Sequence, residues 1–228
     1  MKTSWRKFLL LALAVVCVSL VGGRPGPAAA AIPRALQDDG ARRDAWQRPG
    51  DVMDALGVVP GSAVADVGCG DGYFVLHLAR RVGVAGIVDA EDLEEKSLEK
   101  VQHRAEKEKL GNVRTIRGRT DDPQLPASAL DAVLVVNAYH EFIEYDAMLK
   151  GILAGLKPGG RLGIIDAAGD ERRTRAEHQS NHTITEKLVM EDSARNGFRF
   201  RSKEKGFHRP EGSSRNDFFF LIFERPAS

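Results

Sequence analysis

From Ala63 onward, short apolar runs alternate with longer stretches whose apolar residues recur at helical spacing. Ala63 to Val67, Gly86 to Asp92, Val113 to Arg117, Ala132 to Asn137 and Arg161 to Asp166 are runs of strand length. Helices are expected at Tyr73 to Val82, at Glu94 to Leu110 with Leu98, Val101 and Ala105 inward, and near Tyr145 to Leu156. In the last of these, Leu149, Ile152, Leu153 and Leu156 share a face. Parallel strands need a crossover long enough to hold a helix, so the alternation predicts an α/β, doubly wound, mostly parallel sheet covered on both faces. A ligand of such a sheet sits at the carboxyl ends of its strands.

The last third changes character. A loop rich in Arg, Glu and His (Asp170 to His182) leads to a helix from about Thr185 to Asn196, with Gly197 as its stop. Phe198 and Phe200 then alternate with Arg199 and Arg201, and Asp217 to Glu224 reads as a final strand. Two strands joined by a non-helical connection predict an antiparallel edge hairpin, which brings the sheet to seven strands. Before the first strand, Asp51 is placed to cap a short helix through Leu56, stopped by Gly57.

The first residues follow different rules. Lys2, Arg6 and Lys7 precede an apolar run from Phe8 to Val21, and a small-residue stretch ends in AAAA near Ala31. That order predicts a secretory signal peptide over residues 1–31 and an exported, periplasmic protein. The run is shorter than the roughly 20 residues a spanning helix needs, so a membrane contact is expected only if the signal is uncleaved. Residues 32–50 read as an N-terminal arm, with Trp46 as a packing residue or lid, and residues 51–228 as one domain. Removing residues 1–31 takes away four positive charges and no negative one, which moves the formal charge from +1 to about −3. No basic excess remains, and no nucleic-acid partner is expected. Cys69 is then the sole cysteine, which excludes a disulfide framework and argues against a zinc site. No metal is expected. Oligomeric state is not legible.

The chemistry begins at Val64 to Phe74, VADVGCGDGYF. A strand there ends in a turn where Gly68, Gly70 and Gly72 supply positive φ and let a ligand approach the backbone. Asp71 lies within the turn, and Tyr73 stands where a dinucleotide fingerprint carries its third glycine. Asp66 lies inside the strand, where a carboxylate needs a partner.

VADVGCGDGYF resembles motif I of the class I S-adenosylmethionine-dependent methyltransferases, and the likeness extends in order from roughly Asp44 to Glu224. GIVDAEDLEEKSL is similar to the family's second strand, where an acid holds the ribose hydroxyls; alignment gives Asp92, with Asp89 as the fallback. NVRTIRGRTDDPQLP resembles the adenine loop, with Asp121 or Asp122 near the exocyclic amine, although Arg119 stands where members often carry an acid. LDAVLVVNAYHEF and LKPGGRLGIID resemble the fourth and fifth strands with their turns. AYHEF, with RDAWQRP and the leader, is similar to exported bacterial methyltransferase-like proteins.

The resemblance implies S-adenosylmethionine as cofactor and methyl transfer to a small-molecule acceptor, with Asn137 beside the cofactor. His140 is the candidate general base, oriented or replaced by Glu141. His182 and His208, in late loops, are candidates for a substrate lid. Two other readings stand beside it: a non-catalytic S-adenosylmethionine-binding protein of this fold, and a nicotinamide oxidoreductase, which the G-x-G-x-G spacing disfavours.

Overall fold

A computed structural model describes residues 42–207 and 217–227. The signal-peptide segment, most of the arm and His208 lie outside the described residues. Among the described residues no helix is long and apolar enough to cross a membrane.

Seven strands form one sheet: β1 (Ala63–Val67), β2 (Ile87–Asp92), β3 (Val113–Arg117), β4 (Leu130–Val136), β5 (Leu156–Ala167), β6 (Arg199–Glu204) and β7 (Phe218–Glu224). Their order is β3-β2-β1-β4-β5-β7-β6. The first five strands are parallel, and β7 inserts antiparallel between β5 and the edge strand β6. The chain reverses direction across the sheet between β1 and β4, so a crevice opens at their carboxyl ends.

Six helices are labelled here: α1 (Pro49–Ala55), α2 (Tyr73–Val82), α3 (Glu95–Lys107), α4 (Tyr145–Gly155), α5 (Arg175–Ser180) and α6 (Glu186–Arg195). Burial on both faces explains why β1 and β4 read as continuous apolar runs rather than alternating ones. One core packs α1, α2 and α3 on the sheet through Val52, Phe74, Val75, Leu98 and Val101. The other packs α4 and α6 through Leu149, Ile152 and Val189, with Phe219, Leu221 and Phe223 of β7. Edge strand β6 is blunted by Arg199 and Arg201, both paired with Glu224 of β7.

Two expectations need correction. Asp51 does not cap α1; Arg48 holds the cap position at φ +48, and the Asp51 carboxylate accepts from its guanidinium at 2.6 Å instead. Pro at the first helical position already removes one amide that would need a cap. The fifth strand begins at Leu156 rather than Arg161, because the backbone of KPGG continues the ladder through a register shift opposite Leu130. Trp46 packs on Phe218 at 5.5 Å between ring centroids and against the α1–α3 core.

Candidate functional site

A cleft of about 440 Å³ opens at the carboxyl ends of β1, β2 and β4. That volume lies within the roughly 300–1,000 Å³ range of small-molecule sites. One wall is backbone. Gly68, Gly70 and Gly72 have φ of +71, +53 and +78, conformations that L side chains adopt only under strain. A Cβ on Gly68 would stand 2.6 Å from that of Ala138, and one on Gly72 would stand 2.8 Å from Val101, whereas one on Gly70 meets nothing within 4 Å. The turn is therefore pinned at its ends against β4 and α3 and left open in the middle. Gly68 and Gly70 line the cleft.

The strand register brings the end of β2 beside this turn, since Val67 pairs with Glu91. Asp92 accepts hydrogen bonds from the Gly70 amide at 2.8 Å and the Glu94 amide at 2.9 Å, which fixes its carboxylate at the cleft edge. Glu91, not singled out in the sequence, is 2% exposed and accepts from the Gly68 amide at 3.1 Å. Its Oε1 is buried without a hydrogen-bond partner. Burial pushes its pKa up to about 8, with Asp92 and Asp66 adding repulsion against the Gly68 hydrogen bond. Asp66, 2% exposed, is likewise pushed up to about 7 by burial and then by Asp92. Three mutually repelling acids thus surround the turn, an arrangement that a cationic ligand relieves.

The other wall leaves β4. Asn137, in a left-handed conformation at φ +53, lines the cleft with Ala138, Glu141 and Phe142. A single 3-10 turn, Tyr139–Glu141, follows and buries His140 outside the cleft lining. His140 is 4% exposed, and its Nδ1 lies 2.8 Å from Oδ1 of Asp166, which is fully buried at the end of β5. The same carboxylate accepts the backbone amides of His140 at 3.1 Å and Ala167 at 2.7 Å. A carboxylate with three donors only accepts, so Nδ1 carries the hydrogen and Nε2, in a fully buried side chain, is the nitrogen left without it. Burial opposes the imidazolium, but the Asp166 hydrogen bond and charge, with Glu141 behind them, outweigh it and hold the His140 pKa above its ordinary value.

Nε2 looks toward His182 Nδ1 at 3.3 Å. His182 arrives there because Ile184 donates to the Ala167 carbonyl and bridges Ala168, which returns the loop after α5 alongside β5. Asp166 and the meeting of the two histidines were not legible in the sequence. The aspartate closes a strand whose partner lies 26 residues upstream, with no local spacing to mark it.

Other residues expected at the site lie elsewhere. Tyr73 is buried beneath the Arg43 guanidinium, 3.8 Å from its ring centre, and its hydroxyl pairs with Asp44, so it fastens residues 42–47 to α2. Asp71 faces Arg104 at 3.2 Å and Arg43 at 3.8 Å, outside the cleft lining. Asp121 and Asp122 pair with Arg119 at 3.4 and 3.1 Å, and the cleft wall there is Arg119 and Thr120. The fallback Asp89 is fully buried and held by Arg114 at 2.7 and 2.9 Å, which leaves Asp92 as the acid at the cleft. Tyr139 donates to Asp192 at 2.8 Å inside the second core.

The strand order and the antiparallel β7 define a Rossmann-like methyltransferase fold. Residues 64–160 match the family model described as a methyltransferase domain. Among solved structures, the chain is similar to an S-adenosylmethionine-dependent methyltransferase from Aquifex aeolicus. The TM-score is 0.69 at 23% identity, covering 86% of this chain and 99% of that one. It is also 28% identical over 123 residues to a demethylmenaquinone methyltransferase of Listeria welshimeri, spanning 54% of this chain and 51% of that one. A further relative, an S-adenosyl-L-methionine-dependent Diels-Alderase of Talaromyces variabilis, is 28% identical over 144 residues, 61% of this chain and 47% of that one. The chain spans about half the length of the curated relatives it matches.

Proposed function

We propose that the protein binds S-adenosylmethionine in the cleft and catalyses methyl transfer to a small-molecule acceptor. The observation that carries this reading is the shared wall of the Gly68–Gly70 turn and Asp92, backed by the orphaned Oε1 of Glu91. These residues suit the cofactor: an open glycine backbone admits it closely, and the surrounding acids favour its positive charges. Asp92 is the acid for the ribose hydroxyls.

When bound, the cofactor supplies a methyl group on a sulfonium, whose sulfur leaves with the bonding pair. The protein's share is position and a proton path. Asn137 and Ala138 shape the floor beside the turn, and Phe142 with Met148 keeps that side of the cleft apolar. His140, fixed by Asp166 and 3.7 Å behind the cleft-lining Glu141, is the acceptor for a proton from a hydroxyl or amine. Glu141, exposed at the cleft, lies 3.7 Å from Nε2 of His140 and adds its negative charge there.

Calorimetric titration of the purified protein with S-adenosylmethionine, S-adenosylhomocysteine and NAD tests the reading. Both sulfur compounds should bind and NAD should not. Binding of NAD alone would overturn it. A screen for methyl acceptance, with His140→Ala as control, then identifies the acceptor. A second reading, in which the cofactor binds without giving up its methyl, is favoured by the Diels-Alderase relative. It predicts tight binding and no S-adenosylhomocysteine production with any acceptor. Export rests on residues 1–31 alone, and N-terminal sequencing of periplasmic protein beginning near Ile32 would support it.

A further inference from the structure

His140, Glu141 and His182 form a constellation that proton transfer does not exhaust. Nε2 of His140 and Nδ1 of His182 are 3.3 Å apart, and each lies 3.7 Å from Oε1 of Glu141. A hydrogen bond accounts for the first separation but not for the other two, which exceed hydrogen-bond reach. Nor does packing force the three together, because the side chains of Glu141 and His182 are 61% and 72% exposed. Ligands placed tetrahedrally at about 2.0–2.1 Å from a divalent ion stand about 3.3–3.4 Å from one another. The triangle already has those edges to within a few tenths of an ångström.

We propose that His140, Glu141 and His182 bind a divalent transition-metal ion of the zinc type, with at least one coordination position left open beside the cleft. Imidazole and carboxylate are the donor set such ions prefer, and two histidines with one carboxylate leave room for a further ligand. A second observation points the same way. His140 gives its Nδ1 hydrogen to the fully buried Asp166, the carboxylate–histidine pairing that orients a metal-binding imidazole and raises its basicity. His182 is held in the left-handed region at φ +51, where a non-glycine residue is uncommon and needs a compensating contact. Cys69, the one cysteine among the described residues, weighs only against thiolate sites; this donor set uses none.

Metal binding stands on its own geometry. What fills the open position rests on the proposed methyl transfer: an oxygen of the acceptor, since Glu141 lines the cleft. Nε2 has one lone pair, so His140 is the proton acceptor in the metal-free protein, whereas with the ion on Nε2 a coordinated hydroxyl loses its proton to solvent.

Tag-free full-length protein, stripped with chelator, is titrated calorimetrically with zinc chloride and, separately, with Co²⁺ followed by visible absorption. One equivalent of zinc per chain and the intense absorption of four- or five-coordinate cobalt are expected. His182→Ala and Glu141→Gln, both at exposed side chains, should each weaken zinc binding at least tenfold without lowering the melting temperature. Asp166→Asn should weaken it about 10–100-fold. Absence of stoichiometric binding, or equal affinity in the two exposed-site variants, would overturn the site. The same samples are titrated with S-adenosylmethionine. Cofactor binding without zinc binding removes the metal site and spares the methyl-transfer reading; zinc binding without cofactor binding does the reverse.

Discussion

The two walls of the cleft are built by different means. The turn between β1 and α2 is made of backbone: three glycines at positive φ, and amides that reach the acids of a neighbouring strand. The wall after β4 is made of side chains, and beside its Glu141 the residues Asp166, His140 and His182 meet across 26 and 42 residues of sequence. A backbone wall is written locally, because only glycine fits its conformations. A side-chain wall is written in the topology, because residues of ordinary type become a site only where β5 and the loop after α5 bring them together.

The contrast is broken most severely at Gly68. Gly68→Ala puts a Cβ 2.6 Å from Ala138 in a backbone conformation that already strains an alanine. The clash and the strain together should cost about 2–4 kcal/mol of stability and displace the turn. Gly70→Ala meets no atom and bears only the strain of its φ, about 1 kcal/mol. Urea melts and cofactor titrations of the pair check this; equal losses would mean that the close approach to β4 does not set the turn.

Asp92 and Asp89 divide a structural role from a binding one within a single strand. Asp92→Ala should weaken S-adenosylmethionine about 10–100-fold, the value of a hydrogen bond to a charged group. Asp89→Ala should leave that affinity alone and lower the melting temperature, since it strips Arg114 of a bidentate partner. Cofactor affinity unchanged in Asp92→Ala would remove that residue from the site.

On the side-chain wall, Asp166→Asn substitutes a neutral amide for the charge that holds the His140 pKa up. The ring should then titrate lower, as followed by NMR of its carbon-bound protons. The sign extends to stability. A histidine whose pKa is raised by folding stabilises the native state fully below its unfolded value of 6.5, and that contribution disappears as pH climbs through the folded value. The variant should therefore lose stability more at pH 5.5 than at pH 8.5. An unaltered ring titration would show that Asp166 does not govern His140.

How much of this was legible follows the same division. The five parallel strands, the edge hairpin and the glycine turn are readable because each is marked by local spacing or by a residue type that the backbone demands. Tyr73 stands outside the cleft lining because its position in the motif is also the first residue of α2, where an aromatic ring buries against Phe74 and beneath Arg43. Asp121 and Asp122 stand outside the cleft lining because Arg119, three residues from Asp122, pairs with both. Glu91 escaped notice because it sits next to Asp92 in a strand whose alternation hides one acid from the other. Its burial depends on Gly118 of the neighbouring strand's end, where a Cβ would overlap its carboxylate.

Glu91 sharpens the comparison by asking which wall makes the protein sensitive to pH. Its carboxyl has an ordinary pKa of 4.5 and a folded one of about 8, raised chiefly by burial. Between those values the native state holds a proton that the unfolded chain has released, so stability declines as pH rises through that window. Asp66, at about 7, adds to the decline with the same sign. Glu91→Gln keeps the shape and the acceptor for Gly68 but has no proton to lose, so its urea melts at pH 5.5 and pH 8 should lie closer together than those of the parent. Saturating S-adenosylmethionine should close the same gap in the parent, because its positive charge favours the ionised acids. If Glu91→Gln leaves the slope intact and Asp166→Asn removes it, the pH response belongs to the side-chain wall, and the acids around the glycine turn do not carry the charge that the proposed cofactor is meant to balance.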